Sequence, residues 1–326
     1  MADLCRIGID TLGSETPTSE IVQGALDFAR GHEECQLVFV GREDELRCVR
    51  EFGHSVVPCE ESISQYESLI GILRHKRNSS MKVGLQLVAA SKIDAVVSTG
   101  DTGALMALSR QVIPMLPQFD RPSIIKRFDG KRGPVWMLDL GANIIRKLSL
   151  LVQFAQMGSA YAKAIGRLER PRISLLNIGS EARKGPQVLR EVASMLSRTA
   201  SLNFVGYTEA DQLFDGTTDV VVADGFSGNV ALKSIEGAIG ISHYFIEGEL
   251  RAAGLDDSEL AISVAQRVRD KLSAQAYNGA SLIGLNGIVV KSHGRTDRVG
   301  IGSALRLAKE EIKAGVPSFL KSFQFS

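Results

Sequence analysis

Short runs of apolar residues alternate along this chain with longer stretches in which apolar positions return every three or four residues. The short runs are "RIGID" (6–10), "QLVFV" (36–40), "DAVVST" (94–99), "VWMLDL" (135–140), "RISLLNI" (172–178), "LNFVG" (202–206), "DVVVAD" (219–224) and "GIVVKS" (287–292). Their continuous rather than alternating hydrophobicity predicts strands covered on both faces. The longer stretches predict helices: "TSEIVQGALDFAR" (18–30), "TGALMALSRQVI" (102–113), "LLVQFAQMGSAYAKAIGRLE" (150–169), "PQVLREVASMLSRTA" (186–200) and "IGSALRLAKEEIKAG" (301–315). Strands separated by helices give an α/β chain with a mostly parallel sheet, helices packed on both sides. One segment breaks the rhythm. Residues 234–275 hold two successive helical patterns with no strand between, and the first carries Ile239, Ile241, Tyr244, Phe245 and Leu250. This helical hairpin reads as a dimer arm, a partner dock, a lid or an ordinary core-facing helix.

Open parallel sheets bind ligands beyond the carboxyl ends of their strands. Six polar, glycine-rich turns fall at those ends: "DTLGSET" (10–16), "STGDTG" (98–103), "DLGAN" (139–143), "NIGSEARKG" (177–185), "DGFSGN" (224–229) and "KSHGRTD" (291–297). Converging on one edge, they would form the rim of an active site. In the second turn Asp101 or Thr102 can cap a helix, and the free amides around Gly100 and Gly103 suit an anion or an oxyanion. Asn143 ends the third turn. Lys184 and Gly185 stand just before a helix, where a lysine can hold a phosphate as a point charge. Gly225 and Gly228 leave the backbone bare after Asp224, with Asn229 and Lys233 one helical turn apart and able to share a face. Lys291 and His293, two apart at a strand end, point to the same side. His293 is the one histidine of five in such a turn. His32, His54 and His75 read as surface residues.

The 326 residues, 44% hydrophobic, suffice for a large core. A net charge of +1 provides no global field toward nucleic acid or membrane. Basic stretches around 121–132, 167–172 and 267–271 read mainly as solvated faces. Cys5, Cys35, Cys48 and Cys59 form no paired spacing, so we expect free, mostly buried thiols, no disulfide and no metal site. The N-terminus lacks the charged-then-apolar form of a signal peptide, and residues 148–162 are too short and too polar to span a bilayer. These readings place the protein in the cytoplasm. No dinucleotide-binding or Walker glycine spacing occurs, which removes the main support for a nicotinamide or ATP enzyme, and no cofactor is expected. No Gly-x-Ser-x-Gly elbow occurs either. A site of glycine amides, lysines, Asn and one His, without a protein nucleophile, fits a reaction in which the substrate supplies the nucleophile. Inorganic phosphate is such a reagent.

Taken in order over nearly the whole chain, "IGIDTLGSETP", "STGDTGALMA", "LDLGAN", "LLNIGSEARKG", "NFVGYTEADQLFDGTTDVVVADGFSGNVALKSIEG" and "YNGASLIGLNGIVVKSHG" resemble the phosphate acyltransferase family of bacterial phospholipid synthesis. The resemblance implies a Rossmann-like three-layer α/β/α sandwich of the phosphotransacetylase and isocitrate-dehydrogenase kind, residues 1–326 forming a single acyltransferase domain and a homodimer. It implies reversible transfer of a long fatty acyl group from acyl carrier protein to inorganic phosphate. A membrane glycerol-3-phosphate acyltransferase would then use the acyl phosphate. It further implies a cytoplasmic protein in loose peripheral contact with the membrane, without a metal. On this reading amides near residues 100–103 or 225–228 hold the oxyanion, Lys184, Lys233 and Lys291 hold phosphate, and His293 protonates the departing thiolate. Carrier protein is acidic and would dock on a basic groove near the hairpin. The chain departs from the family pattern at Ser14 and Glu15, where Gly and Asp are usual, at Asp101, where Asn is usual, and after Asn143, where "IIRKLS" stands. A short-chain phosphotransacetylase using coenzyme A and a non-catalytic scaffold that docks carrier protein are the alternatives.

Overall fold

The computed structural model describes residues 4–64, 66–181, 183–255, 257–272 and 278–323. Strands β1 (Cys5–Asp10), β2 (Cys35–Gly41), β3 (Ser55–Pro58), β4 (Ala95–Ser98), β5 (Ser123–Gly130), β6 (Gly133–Leu138), β7 (Arg172–Leu176), β8 (Asn203–Thr208), β9 (Val220–Val222), β10 (Ala280–Ile283) and β11 (Ile288–Lys291) form one sheet in the order β3-β2-β1-β4-β11-β10-β5-β6-β9-β7-β8. The helices are α1 (Thr18–Arg30), α2 (Glu43–Leu46), α3 (Leu69–His75), α4 (Ser80–Ala89), α5 (Thr102–Val112), α6 (Leu148–Gly166), α7 (Gln187–Leu196), α8 (Gly225–Ala252), α9 (Glu259–Leu272), α10 (Arg298–Ala314) and α11 (Val316–Ser322).

Helices cover both faces of the sheet. Ile7, Ile9, Leu37 and Phe39 pack against α1 and α10 through Ile21, Phe28, Ile301 and Leu305. On the opposite face Val96, Met137, Val221 and Val289 meet α4 and α5 through Leu85, Leu105 and Leu108. Trp136, Leu138, Ile173 and Val222 bury Phe154 and Tyr161 of α6. The apolar alternation of neighbouring strand residues between two helical layers is the physical origin of the unbroken hydrophobic runs.

The sheet is mostly parallel, with three reversals at its centre. The β11/β10, β10/β5 and β5/β6 pairs are antiparallel. The block β3-β2-β1-β4-β11 therefore runs opposite to the block β6-β9-β7-β8. The register shows why this does not send their carboxyl ends apart. Lys291 pairs with Ser98, and Ser98 with Asp10. On its other side Lys291 faces Ala280, which the β10/β5 register sets beside Lys126, and Lys126 faces Met137. Strand β6 ends one residue later, at Leu138. The two blocks are displaced along the strand direction, so both sets of carboxyl ends reach the same band in the middle of the molecule.

Eight strands and five helices follow the sequence expectations to within a few residues. Strands β3, β5 and β10 did not stand out in the hydrophobic pattern. The expected hairpin exists as α8 and α9, although residues 273–275 lie outside the described residues. It is not core-facing: only Gly225 and Gly228 of α8 are buried, and Ile241, Tyr244, Phe245, Leu260, Ile262 and Val264 are exposed. Cys5, Cys35 and Cys59 are buried and Cys48 is exposed, all four outside any disulfide. His32 and His54 are half-buried rather than superficial. His32 contacts Lys309, and the Nδ1 of His54 accepts from the Leu37 amide.

Candidate active site

Two cavities meet at the central band. The larger, about 680 Å³, has an apolar flank of Leu69, Met106, Ile124, Leu140 and Leu232 and a polar end of Lys126, Asn229, Lys291 and His293. The smaller, about 350 Å³, is lined by the turns that follow β1 and β4 together with Ser64 and Gly294. Thr102, Lys233, Lys291 and His293 belong to both.

The floor of the junction is a buried hydrogen-bond network. Asp10 ends β1 with no exposed surface and accepts from Ser80 Oγ (2.6 Å) and Ser98 Oγ (2.7 Å). Burial pushes its carboxyl above the usual range, with the two serines acting in the other direction. Lys291 Nζ reaches Thr99 O (3.5 Å) and Ser292 O. Burial holds its ammonium down to about 8, and the carboxylates of Asp101 and Asp10 limit the drop. Lys126 on β5 is likewise depressed by burial, opposed by Glu236. His293 is fixed by its amide, which donates to Asn278 Oδ1 (2.9 Å), and its Nδ1 accepts from the Arg295 amide (3.1 Å). That bond assigns the ring proton of the neutral form to Nε2. Partial burial, then Lys233 and Lys291, keep the imidazole below its ordinary pKa, so the neutral donor is the working form near pH 7.

The turns are locked to one another. Gly13 lies so close to Gly100 that a Cβ would sit 2.7 Å from the Gly100 Cα. Ser14 Oγ donates to Gly294 O (3.0 Å), and Glu15 pairs with Arg295 at 2.8 Å. The two unusual residues of the first turn thus tie it to the last. Asp101 caps α5 by accepting from the Ala104 amide (2.8 Å), a duty Asn performs equally, and its extra charge faces Lys291. In "IIRKLS", Ile144 and Ile145 are exposed, while Arg146 pairs with Asp224 at 2.6 Å.

Of the twelve sequence-derived candidates, Gly100, Asp101, Thr102, Gly103, Asn229, Lys233, Lys291 and His293 line one or both cavities. Four do not. Lys184 follows β7, five strands from β11, on the order of 20 Å away at the usual strand spacing. Its ammonium pairs with Glu181 at 3.0 Å, and its turn closes on itself through Asn177 Nδ2, which donates to Gly179 O and Lys184 O. Asn143 is buried and donates to Pro122 O (2.8 Å) and Asp139 Oδ2 (3.0 Å). Gly225 and Gly228 do not expose amides to a ligand. They let α8 press on the third turn: an added Cβ would stand 2.6 Å from Asn143 O at Gly225 and 1.9 Å from Asp139 O at Gly228. Five of the six turns thus contribute to the junction, and the Asn177–Gly185 turn does not.

Two contributors went unassigned in the sequence. Asp10 opened a turn without being given a duty. Lys126 lay in a basic stretch, yet it shares a strand face with Ile124 and Phe128, and a lone cation on such a face was the available signal. Arg110 and Arg121 stand exposed among the cleft residues. Among the described residues no His, Cys, Asp and Glu cluster could hold a metal ion, and no helix is long and apolar enough to cross a membrane.

The model of a family described as "Fatty acid synthesis protein" matches residues 5–319. The chain is 40% identical over 333 aligned positions to a phosphate acyltransferase of Alkalilimnicola ehrlichii, covering 98% of this chain and 96% of the relative. It is 40% identical over 327 positions to a phosphate acyltransferase of Methylococcus capsulatus, covering 96% and 95%. Among solved structures, a phosphotransacetylase from Streptococcus pyogenes is similar with a TM-score of 0.64 at 15% identity, over 96% of this chain and 95% of that one. A branched-chain phosphotransacylase from Enterococcus faecalis V583 gives 0.58 at 14% identity, over 94% and 99%. At such identities the likeness is one of fold.

Proposed function

The chain belongs to the phosphate acyltransferase family, and from that premise we propose that it transfers a long-chain fatty acyl group from acyl carrier protein to inorganic phosphate. The products are an acyl phosphate for phospholipid synthesis and the free carrier thiol. The observation that carries this reading is the cleft itself: an apolar flank suited to an acyl chain ends at Lys291 and His293, which suit an anion and an oxyanion.

The thioester carbonyl rests against His293 Nε2–H. A phosphate oxygen held by Lys291 attacks the carbonyl carbon, and the neutral imidazole, with the first amides of α5, stabilises the tetrahedral oxyanion. The C–S bond then breaks. The proton of hydrogen phosphate ends on the sulfur, relayed through Lys291, whose depressed pKa of about 8 is close to that of a thiol. His293 is here a hydrogen-bond donor rather than the acid that protonates the thiolate. Lys126 balances the charge of the phosphate, while Lys233, at the same junction, is paired with Glu236 at 2.8 Å.

Under the same reading the chain works as one cytoplasmic unit and as a homodimer, in peripheral contact with the membrane that holds the glycerol-3-phosphate acyltransferase. The exposed apolar residues of α8 and α9 support such contacts, and Arg110 and Arg121 at the cleft support docking of the acidic carrier protein. The test is direct. Purified protein, palmitoyl carrier protein and phosphate should yield acyl phosphate, trapped as palmitoyl hydroxamate, with acetyl-coenzyme A a poor substitute. Absence of product across several chain lengths would overturn the proposal.

A further inference from the structure

Asn278 and Gly279 lie between the α8–α9 hairpin and β10. Asn278 is buried, and its side chain makes three hydrogen bonds, all to the turn that follows β11. Its Oδ1 accepts from the His293 amide (2.9 Å), and its Nδ2 donates to Ser292 Oγ (2.6 Å) and Thr296 Oγ1 (2.8 Å). The His293 N–H can only donate, so the atom facing it is the carbonyl oxygen. Both hydrogens of Nδ2 are then spent on the two hydroxyls, and none is left for a ligand. We propose that Asn278 is a positioning residue for acyl transfer, which clamps the last turn so that the His293 imidazole meets the reacting carbonyl in a fixed orientation. The proposal rests on the reading of His293 as the oxyanion donor and adds the residue that holds this donor in place.

The register of the sheet brings the two residues together. Strands β10 and β11 are antiparallel, with Ala280 against Lys291, and the same register continued by two residues sets Asn278 against His293. Gly279 makes the approach possible. Its φ of +119° favours glycine, and an added Cβ would stand 3.1 Å from Leu307 Cδ2 and 3.3 Å from Ala304 Cα of α10. The turn itself is short of other supports at the histidine. Thr296 N donates to His293 O (3.2 Å), Arg295 N to His293 Nδ1 (3.1 Å), and Ser292 N to Ser98 O (2.8 Å). Asn278 bonds residues 292, 293 and 296, and so fixes the turn at the histidine and on either side of it. Ser292 and Thr296 are buried with it, where a lost bond leaves its partners desolvated. Lys291 keeps its own anchor, on β11 and through Nζ to Thr99 O, so phosphate binding does not depend on the clamp.

A donor that loses its orientation weakens the transition state more than the bound substrates. Asn278→Ala should lower kcat for acyl phosphate about tenfold or more, with the KM values for phosphate and palmitoyl carrier protein within about threefold of wild type. Asn278→Asp keeps the shape. Its carboxylate accepts from the His293 amide, and the Ser292 and Thr296 hydroxyls can turn to donate, so kcat should recover to within about fivefold of wild type. Thr296→Val removes one bond of the clamp from the other side at nearly constant shape, and should lower kcat about threefold with the same unmoved KM values. A further readout needs no turnover. With 15N in the histidine rings, and His293→Ala to assign the signals, neutral His293 in the wild type should be the Nε2–H tautomer, because Nδ1 accepts from Arg295 N. Asn278→Ala should show the two tautomers mixed.

A residue that only stabilises the fold would lower the denaturant midpoint in Asn278→Ala and Thr296→Val and leave the kcat of the folded protein at the wild-type value. That result would overturn the proposal. So would an Asn278→Asp enzyme as slow as Asn278→Ala, or an unchanged His293 tautomer in Asn278→Ala. The wild-type hydroxamate assay tells the two layers apart: no product sinks the acyl-transfer reading, while the ring spectra still decide whether Asn278 orients His293.

Discussion

Burial holds the Lys291 ammonium down to about 8, against an ordinary lysine value of 10.5, so its charge is at risk in the range where the enzyme would be assayed. The sign follows from the direction. As pH rises through about 8 the ammonium is lost, and with it the grip on phosphate. We expect the KM for phosphate to climb above that pH. Lys291→Arg, whose guanidinium does not titrate there, should flatten the climb even if its kcat falls. A phosphate KM constant to pH 10 in the wild type would remove Lys291 from the binding step. Lys184 gives the opposite expectation. Paired with Glu181 beyond β7, it should tolerate Lys184→Ala with acyl phosphate formation within about twofold of wild type. The sequence separated these lysines poorly because each belongs to a glycine-containing turn that follows a strand. What divides them is strand order, which local residue chemistry does not encode. His293 and Lys291 were legible because residues two apart on a strand share a side.

At the level of elements, hydrophobic runs located the strands buried on both faces. They passed over β5 and β10, the central antiparallel strands, because β5 carries Lys126, Arg127 and Asp129 within "SIIKRFDG" and β10, "ASLI", holds only two large apolar residues. Helix α8 was anticipated, but the reason for its glycines was not. The bare turn after Asp224 allows helix and loop backbones to touch, a contact visible only once β6 and α8 are neighbours. Two substitutions in the same helix test this. Gly228→Ala places a methyl 1.9 Å from Asp139 O, which a rigid strand end cannot give way to, and should destabilise by roughly 2 kcal/mol or more. Gly237→Ala meets nothing within 4 Å and should be neutral or stabilising by up to about 1 kcal/mol. Denaturant midpoints of the pair would measure the contrast, and equal midpoints would contradict the packing role.

On the scale of the whole molecule, the cleft exists because two oppositely directed parallel blocks are offset along their strands. Six strand-end turns could be found in the sequence, but their meeting place could not, since it depends on register between strands as distant as β6 and β11. The strip of the sheet that joins the blocks also buries a carboxyl. Glu311 of α10 accepts from Tyr161 Oη of α6 (2.6 Å) and from Ser281 Oγ of β10 (2.9 Å), with its surface 1% exposed. Burial raises its pKa to about 7, in spite of those two bonds. In the unfolded chain it titrates near 4.5. Between those values the folded state holds a proton that the unfolded state has released. The contribution of Glu311 to stability is therefore full below pH 4.5 and declines until about pH 7, by on the order of 3 kcal/mol at about 1.4 kcal/mol per unit. Glu311→Gln copies the protonated form: its carbonyl can accept from Tyr161 and its amide can donate to Ser281. The variant and the wild type should unfold at similar denaturant concentrations at pH 5, and the variant should be the more stable at pH 8. Parallel stability curves across that interval would mean that Glu311 is not the group that senses pH where the two blocks join.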